Sequence, residues 1–170
     1  GGQLQRVHPH EIRIDAAAGP SGEVDSDSAD VDADGPTVAV IWQDDRIVSA
    51  NGGGGNNAAN NTYVKVSQST GGDLGSVPET DLTGFTSTIG FSARRSDVAV
   101  RGSTIYVACE DSRNLVDDDI YLNFSHDRGQ NWTTGIVASR SPALVDSDGM
   151  MFLVDDQQNI AIAYRDDRQG

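Results

Sequence analysis

Three arginines stand at matching places in this chain. Arg46 closes the run Val38-Ala39-Val40-Ile41-Trp42-Gln43-Asp44-Asp45-Arg46. Arg113 closes Ile105-Tyr106-Val107-Ala108-Cys109-Glu110-Asp111-Ser112-Arg113, and Arg168 closes Ile160-Ala161-Ile162-Ala163-Tyr164-Arg165-Asp166-Asp167-Arg168. Each run is an apolar strand ending in acidic residues and a guanidinium. The planar fork of Arg matches a carboxylate in a two-pronged hydrogen bond. That chemistry has two uses: an Asp–Arg bridge joining neighbouring structural units, or a ring of Asp and Arg facing a ligand. Repetition in all three runs favours the repeated structural task and leaves the ligand-facing ring as the alternative.

A second cluster is acidic. Asp30-Val31-Asp32-Ala33-Asp34-Gly35 has the D-x-D-x-D-G form in which alternate carboxylates can gather around a hard cation. In an EF-hand frame the twelfth position would be Ile41, which has no ligating side chain, so that motif is rejected. A Ca²⁺ loop of another kind at Asp30, Asp32 and Asp34 stays open beside the plainer reading, a solvated strand followed by a Gly35-Pro36 breaker. His8 and His10 flank a proline without a third ligand nearby and read as an exposed strand or loop. Cys109, the lone cysteine, sits inside an apolar run and reads as a small buried hydrophobe. The glycines of Asn51-Gly52-Gly53-Gly54-Gly55-Asn56-Asn57 form a low-complexity loop within 47–61. They precede no Lys-Ser/Thr pair and open no helix, so they do not make a phosphate cradle.

Composition narrows the class. The chain has 170 residues, 36% of them hydrophobic, and a net charge of −14. So acidic a surface argues against nucleic acid as a partner. No apolar run approaches the length of a bilayer span, which argues against membrane insertion. The acid is nearly all Asp, since Glu11, Glu23, Glu79 and Glu110 are the only glutamates. Asp favours turns where Glu favours helices, so this bias predicts an all-β, loop-rich fold.

The elements that must position these residues are strands and tight turns. Ser125-His126-Asp127-Arg128-Gly129-Gln130-Asn131-Trp132 follows the alternating segment Ile120–Phe124. Ser and Asp side chains can accept backbone N–H bonds, Gly129 can adopt a positive φ, and Trp132 can fold back as an apolar plug. A weaker copy, Ser67 to Leu74, follows the alternating segment Thr62–Val66, with Ser69 in place of Asp and Leu74 in place of Trp. The two start 58 residues apart, somewhat beyond the ~40–50 residues of common blade repeats.

The S-x-D-x-G-x-x-W pattern resembles the Asp-box of the sialidase-like (BNR) family of β-propellers. The resemblance implies an all-β fold of four-stranded antiparallel blades, about two and a half in this chain. A leading segment covers 1–22, a first blade 23–85 with the degenerate box 67–74, a second blade 86–140 with the box 125–132, and half of a third 141–170. Within the third, Asp146-Ser147-Asp148-Gly149 is expected to form a turn. In this family the boxes are structural, which assigns Ser125, Asp127, Gly129 and Trp132 to the scaffold. The catalytic set implied by the family is an arginine triad, a Tyr–Glu nucleophile pair and an Asp acid/base. Here the Phe-Arg-Ile-Pro motif is missing, and Phe91-Ser92-Ala93-Arg94 is its nearest echo, leaving Arg94 as a weak candidate. Asp119 is the only acid/base analogue, and no Tyr–Glu pair can be assigned.

The expectation is therefore a secreted or cell-surface module for binding, adhesion or structural assembly, needing no cofactor, with a glycan as a conceivable ligand. The alternative is a portion of an exo-glycosidase, a sialidase, whose remaining catalytic residues lie elsewhere. Two and a half blades cannot close a ring. The expected partners are further blades from a longer chain or from other chains.

Overall fold

Ten β-strands and no helix build the described residues, 26–45, 60–84, 93–113, 117–133, 135–139 and 147–166 of the computed structural model. Arg46, Arg168, His8, His10, the segment 1–22 and the glycine-rich stretch 46–59 lie outside them. Among the described residues no helix is long and apolar enough to cross a membrane.

Sheet one is the meander β1 (Ser26–Asp34), β2 (Thr37–Asp44), β3 (Asn61–Ser67) and β4 (Glu79–Asp81). Sheet two repeats it with β5 (Ala93–Arg101), β6 (Thr104–Asp111), β7 (Asp119–Ser125) and β8 (Ile136–Val137). Sheet three is the pair β9 (Ser147–Val154) and β10 (Ile160–Asp166). All pairings are antiparallel. The apolar runs become β2 and β6, the central strands of their sheets, buried along nearly their whole length. A strand covered on both faces reads as a continuous apolar run; β9 carries such a run, Met150 to Val154, yet its burial alternates because only one face is covered.

Sheet two lies between the other two. Ala39, Ile41 and Val64 of sheet one meet Val98, Val100, Ile105 and Val107 of sheet two in one core, sealed by Val66, Leu82 and Trp132. The opposite face of sheet two brings Ala99, Tyr106, Leu122 and Phe124 against Phe152 and Val154 of sheet three. Full burial of a Val or Ile stabilises by about 1.5–3 kcal/mol each, so these seams carry the fold.

Each first strand bends at one corresponding place. The β1–β2 register shifts between Asp27 and Asp30, the β5–β6 register between Arg94 and Ser96, and the β9–β10 register opposite Ala163 to Arg165. The bulged residues are Ser28, Arg95 and Gly149, all with positive φ. This corrects the turn expected at 146–149. Ser147 to Gly149 belong to β9, and Gly149 supplies a strand bulge where a glycine after acidic residues had suggested a chain reversal.

Candidate functional site

The Ser125–Trp132 turn is built on one hydroxyl. Ser125 Oγ accepts from Gly129 N at 2.8 Å and Asp127 N at 3.3 Å, and donates to Asp127 Oδ1 at 2.8 Å. Asp127 in turn accepts from the Asn131 backbone at 2.8 Å and from its side-chain amide at 2.5 Å. Hydrogen bonds from the Asn131 side chain, then from its backbone and from Ser125, hold the Asp127 carboxyl down at about 2. Trp132 Nε1 donates to Gly129 O at 3.1 Å, and the indole packs on the core between sheets one and two. Gly129 has φ 83° and a Cβ there would lie 2.7 Å from Val66 Cγ2 of sheet one, so the position excludes any side chain.

The Ser67 copy follows the same plan despite its altered residues. Ser67 Oγ accepts from Gly71 N at 2.9 Å and Ser69 N at 3.1 Å. Thr70 and Arg128, both with positive φ, donate their backbone N–H to the carbonyls of Pro36 and Ser103. Those carbonyls sit in the β1–β2 and β5–β6 turns. Each turn thus buttresses the first hairpin of its own sheet.

The acidic run of β1 has a different role from the convergent one its sequence suggests. Asp30 Oδ2 accepts from Val98 N at 3.0 Å, Asp32 Oδ2 from Val100 N at 2.7 Å, and Asp34 Oδ2 from Gly102 N at 2.7 Å. These amides point away from β6 in the β5–β6 register, so they are the free edge of sheet two. Carboxylates two residues apart on a strand are separated by about 6.6 Å, too far to gather around one ion in this conformation. Among the described residues no group of three or more His, Cys, Asp and Glu is placed to hold a metal ion.

Among the described residues, Arg113, Arg94 and Asp119 have protein partners. Arg113 grips Asp111 through Nε, at 2.8 and 3.0 Å, and through Nη2, and its guanidinium lies 3.9 Å over the Tyr121 ring. Burial works against the Arg113 charge, but the Asp111 hydrogen bonds and charge outweigh it and hold the guanidinium above its ordinary pKa. Burial, then the charges of Asp111 and Asp119, push the Tyr121 hydroxyl up to about 12. A Cβ at Gly135 would lie 2.6 Å from Arg113 Nη1, so a glycine makes room for this arginine. Arg94 pairs with Asp118 at 2.9 Å on the surface. Asp119 accepts from Ser139 Oγ at 2.7 Å, and that oxygen accepts Ile120 N at 3.0 Å, binding β7 to the segment after β8. Cys109 is buried, and its surroundings push the thiol pKa up, burial first and Asp111 second.

One group of residues escaped the sequence reading. A groove of ≈ 360 Å³ opens over the bulges of β1 and β5, lined by Ser28, Asp30, Arg95, Ser96, Asp97 and Met150. Asp97 is bonded to Asp30 through its side chain and also accepts the Phe152 backbone N–H of β9. Burial first, then the hydrogen bond and charge of Asp30, push Asp97 up to about 6. Beside the pair, Arg95 reaches the buried Glu110 at 3.4 Å, and Glu110 Oε1 accepts Met150 N at 2.9 Å. The only sequence signal was that Asp97 stands one repeat after Asp30, at the same register opposite Ala108 as Asp30 opposite Ile41.

No family model, curated protein or solved structure matches the chain.

Proposed function

We propose that the chain is part of a sialidase-like β-propeller, each sheet a blade and the Ser125–Trp132 turn its Asp-box, serving outside the cell as a binding, adhesion or structural module. The observation that carries this reading is the repeated turn. Ser67 and Ser125 hold the same backbone bonds, and Gly71 and Gly129 share φ 83° although most other positions differ. The engagement of Arg113 by the buried Asp111 favours a non-catalytic module, because an arginine already paired inside the protein is poorly placed to receive a substrate carboxylate.

A second reading has its own observation. Asp30 and Asp97 form a carboxyl pair with Asp97 raised to about 6, in a groove beside Arg95. One protonated and one ionised carboxyl can divide acid and base roles, and to act on a glycoside the two would have to part to about 5 Å or more around the scissile bond. Incubation with fluorogenic sialosides and neutral glycosides across pH 4–7 separates the two. Absence of turnover, with retention on an immobilised glycan, agrees with the module. Turnover abolished by Asp97→Asn overturns it in favour of the exo-glycosidase.

A further inference from the structure

The Ser67 and Ser125 turns border a second opening. Sheets one and two meet mainly through β1 and β2 against β5 and part toward β3 and β4. The Ser125 turn reaches into this gap and rests on Val66 at Gly129. A cleft of ≈ 550 Å³ remains between it and the Ser67 turn, a volume in the range of small-molecule sites. Val64, Val66, Val77 and Pro78 give the cleft an aliphatic wall, and Asp73 and Arg128 line it as well. No aromatic ring is among its described lining residues.

Asp73 comes from the Ser67 turn and Arg128 from the Ser125 turn, so the two opposite charges reach the cleft from different sheets. No ion pair joins them, and none joins either to another described residue. The Ser67 hydroxyl, against the effect of burial and with help from Ser69, holds the Asp73 carboxyl below its ordinary pKa, and no neighbouring charge contributes. The carboxylate therefore stays ionised in mildly acidic solution. Arg128 is fixed by its backbone, whose N–H donates to Ser103 O, while its residue is exposed. An anion and a cation on one cleft that do not meet are left to a ligand or to water. The aliphatic wall beside them is stabilised only by an occupant that covers it, which water does not do.

We infer that this cleft binds an α-amino acid zwitterion with an aliphatic side chain, as a free amino acid or as a short peptide. The ammonium pairs with Asp73, and the carboxylate takes the fork of Arg128. The aliphatic side chain covers the valines. A neutral saccharide brings no charge to either group and covers little of the aliphatic wall. The site is separate from the Asp30–Asp97 groove and stands or falls independently of the propeller reading.

Titration calorimetry of the whole chain with L-leucine and with L-leucyl-L-leucine provides the test. The expected result is binding of at least one of them that weakens as salt rises, because the charged groups are partly exposed. Acetylating the ligand's amine, or amidating its carboxylate, should each weaken binding about tenfold, the scale of a hydrogen bond to a charged group. Asp73→Asn should weaken the unblocked ligand by the same factor and remove the further loss on acetylation. Arg128→Asn should do the same for amidation, and asparagine tolerates the positive φ of this position. The blocked ligands probe the same contacts on the unaltered protein, so the test survives a variant that folds poorly. Binding of leucine alone supports the inference with a free amino acid as ligand, and binding of the dipeptide alone supports it with a peptide. Absence of heat and of any melting shift with both compounds at millimolar concentration overturns the inference. So does binding that blocking and substitution leave unchanged. A neutral disaccharide that binds more tightly than either compound, and is weakened by the same two substitutions, also overturns it.

Discussion

Asp32 Oδ2 lies 2.7 Å from the backbone nitrogen of Val100 and 3.1 Å from Arg101 Nη1, so one carboxylate of β1 closes the open edge of β5. Val100 is fully buried, and its amide faces away from β6. An edge strand normally exposes such amides to water or to another chain. Here the preceding sheet supplies side-chain acceptors in place of a fifth strand, with Asp30 and Asp34 on either side.

Removing one of these acceptors should therefore cost stability. Asp32→Ala leaves the Val100 N–H unpaired in the seam, a loss of about 1–3 kcal/mol. Asp32→Asn keeps an oxygen acceptor and loses only the charge assistance, so it should fall well short of the alanine variant. Urea unfolding followed by tryptophan fluorescence measures both. Equal stability of Asp32→Ala and the parent would mean that the edge amide finds water and that the ladder is incidental.

The two titrating turns and seams pull stability in opposite directions with pH. Asp97 is raised from 3.8 to about 6, so its protonated form is favoured in the fold. Its contribution is fully present below pH 3.8 and is lost as pH rises through about 6. Asp127 is lowered from 3.8 to about 2, so its contribution is full above 3.8 and is lost as pH falls through about 2. From these two groups the melting temperature should peak near pH 4 and decline toward pH 7. Asp97→Asn, a fixed mimic of the protonated acid, should flatten the decline above pH 4 and leave the acid limb unchanged. A decline of the same steepness in that variant would assign it to other groups.

The Ser125 turn makes a prediction about kind as well as size. Ser125→Ala removes the acceptor of the Gly129 and Asp127 amides and should destabilise by about 1–3 kcal/mol. Gly129→Ala should do at least as much damage, because it adds backbone strain at positive φ to a clash with Val66. Hydrogen exchange should quicken at Gly129 in the serine variant. In Ser67→Ala the corresponding change should appear at Gly71. If Gly71 exchange is unaffected, the Ser67 copy is a likeness of sequence only.

What the sequence made legible follows from which interactions are local. The apolar runs at Val38 and Ile105 revealed β2 and β6, because a strand buried on both faces leaves a continuous signature. Ser125, Gly129 and Trp132 were readable because a turn within eight residues is specified by those residues alone. The ladder from Asp30, Asp32 and Asp34 to β5 was not, since its partners stand 68 residues away and are backbone amides that carry no sequence signal. For the same reason the D-x-D-x-D-G spacing suggested a cation, when a strand spreads alternate side chains along an edge. Gly149 misled for a related reason: a positive φ serves a bulge as well as a turn, and only pairing across to Arg165 distinguishes them.

Arg113 gives the sharpest distinction between scaffold and ligand site. Its partner Asp111 is fully buried, and the pair is completed by the Tyr121 ring and by the room left at Gly135. Arg113→Ala would strand a buried carboxylate and should lower stability by about 3 kcal/mol or more. Arg113→Lys keeps the charge but loses the fork and the flat contact with Tyr121, so it should recover only part of that loss. Glycan retention per folded molecule should be the same for parent and lysine variant, measured well below either melting temperature. A ligand-facing arginine would behave in the reverse way, with retention collapsing while the unfolding midpoint barely moves. That outcome would move Arg113 from the scaffold into a binding site.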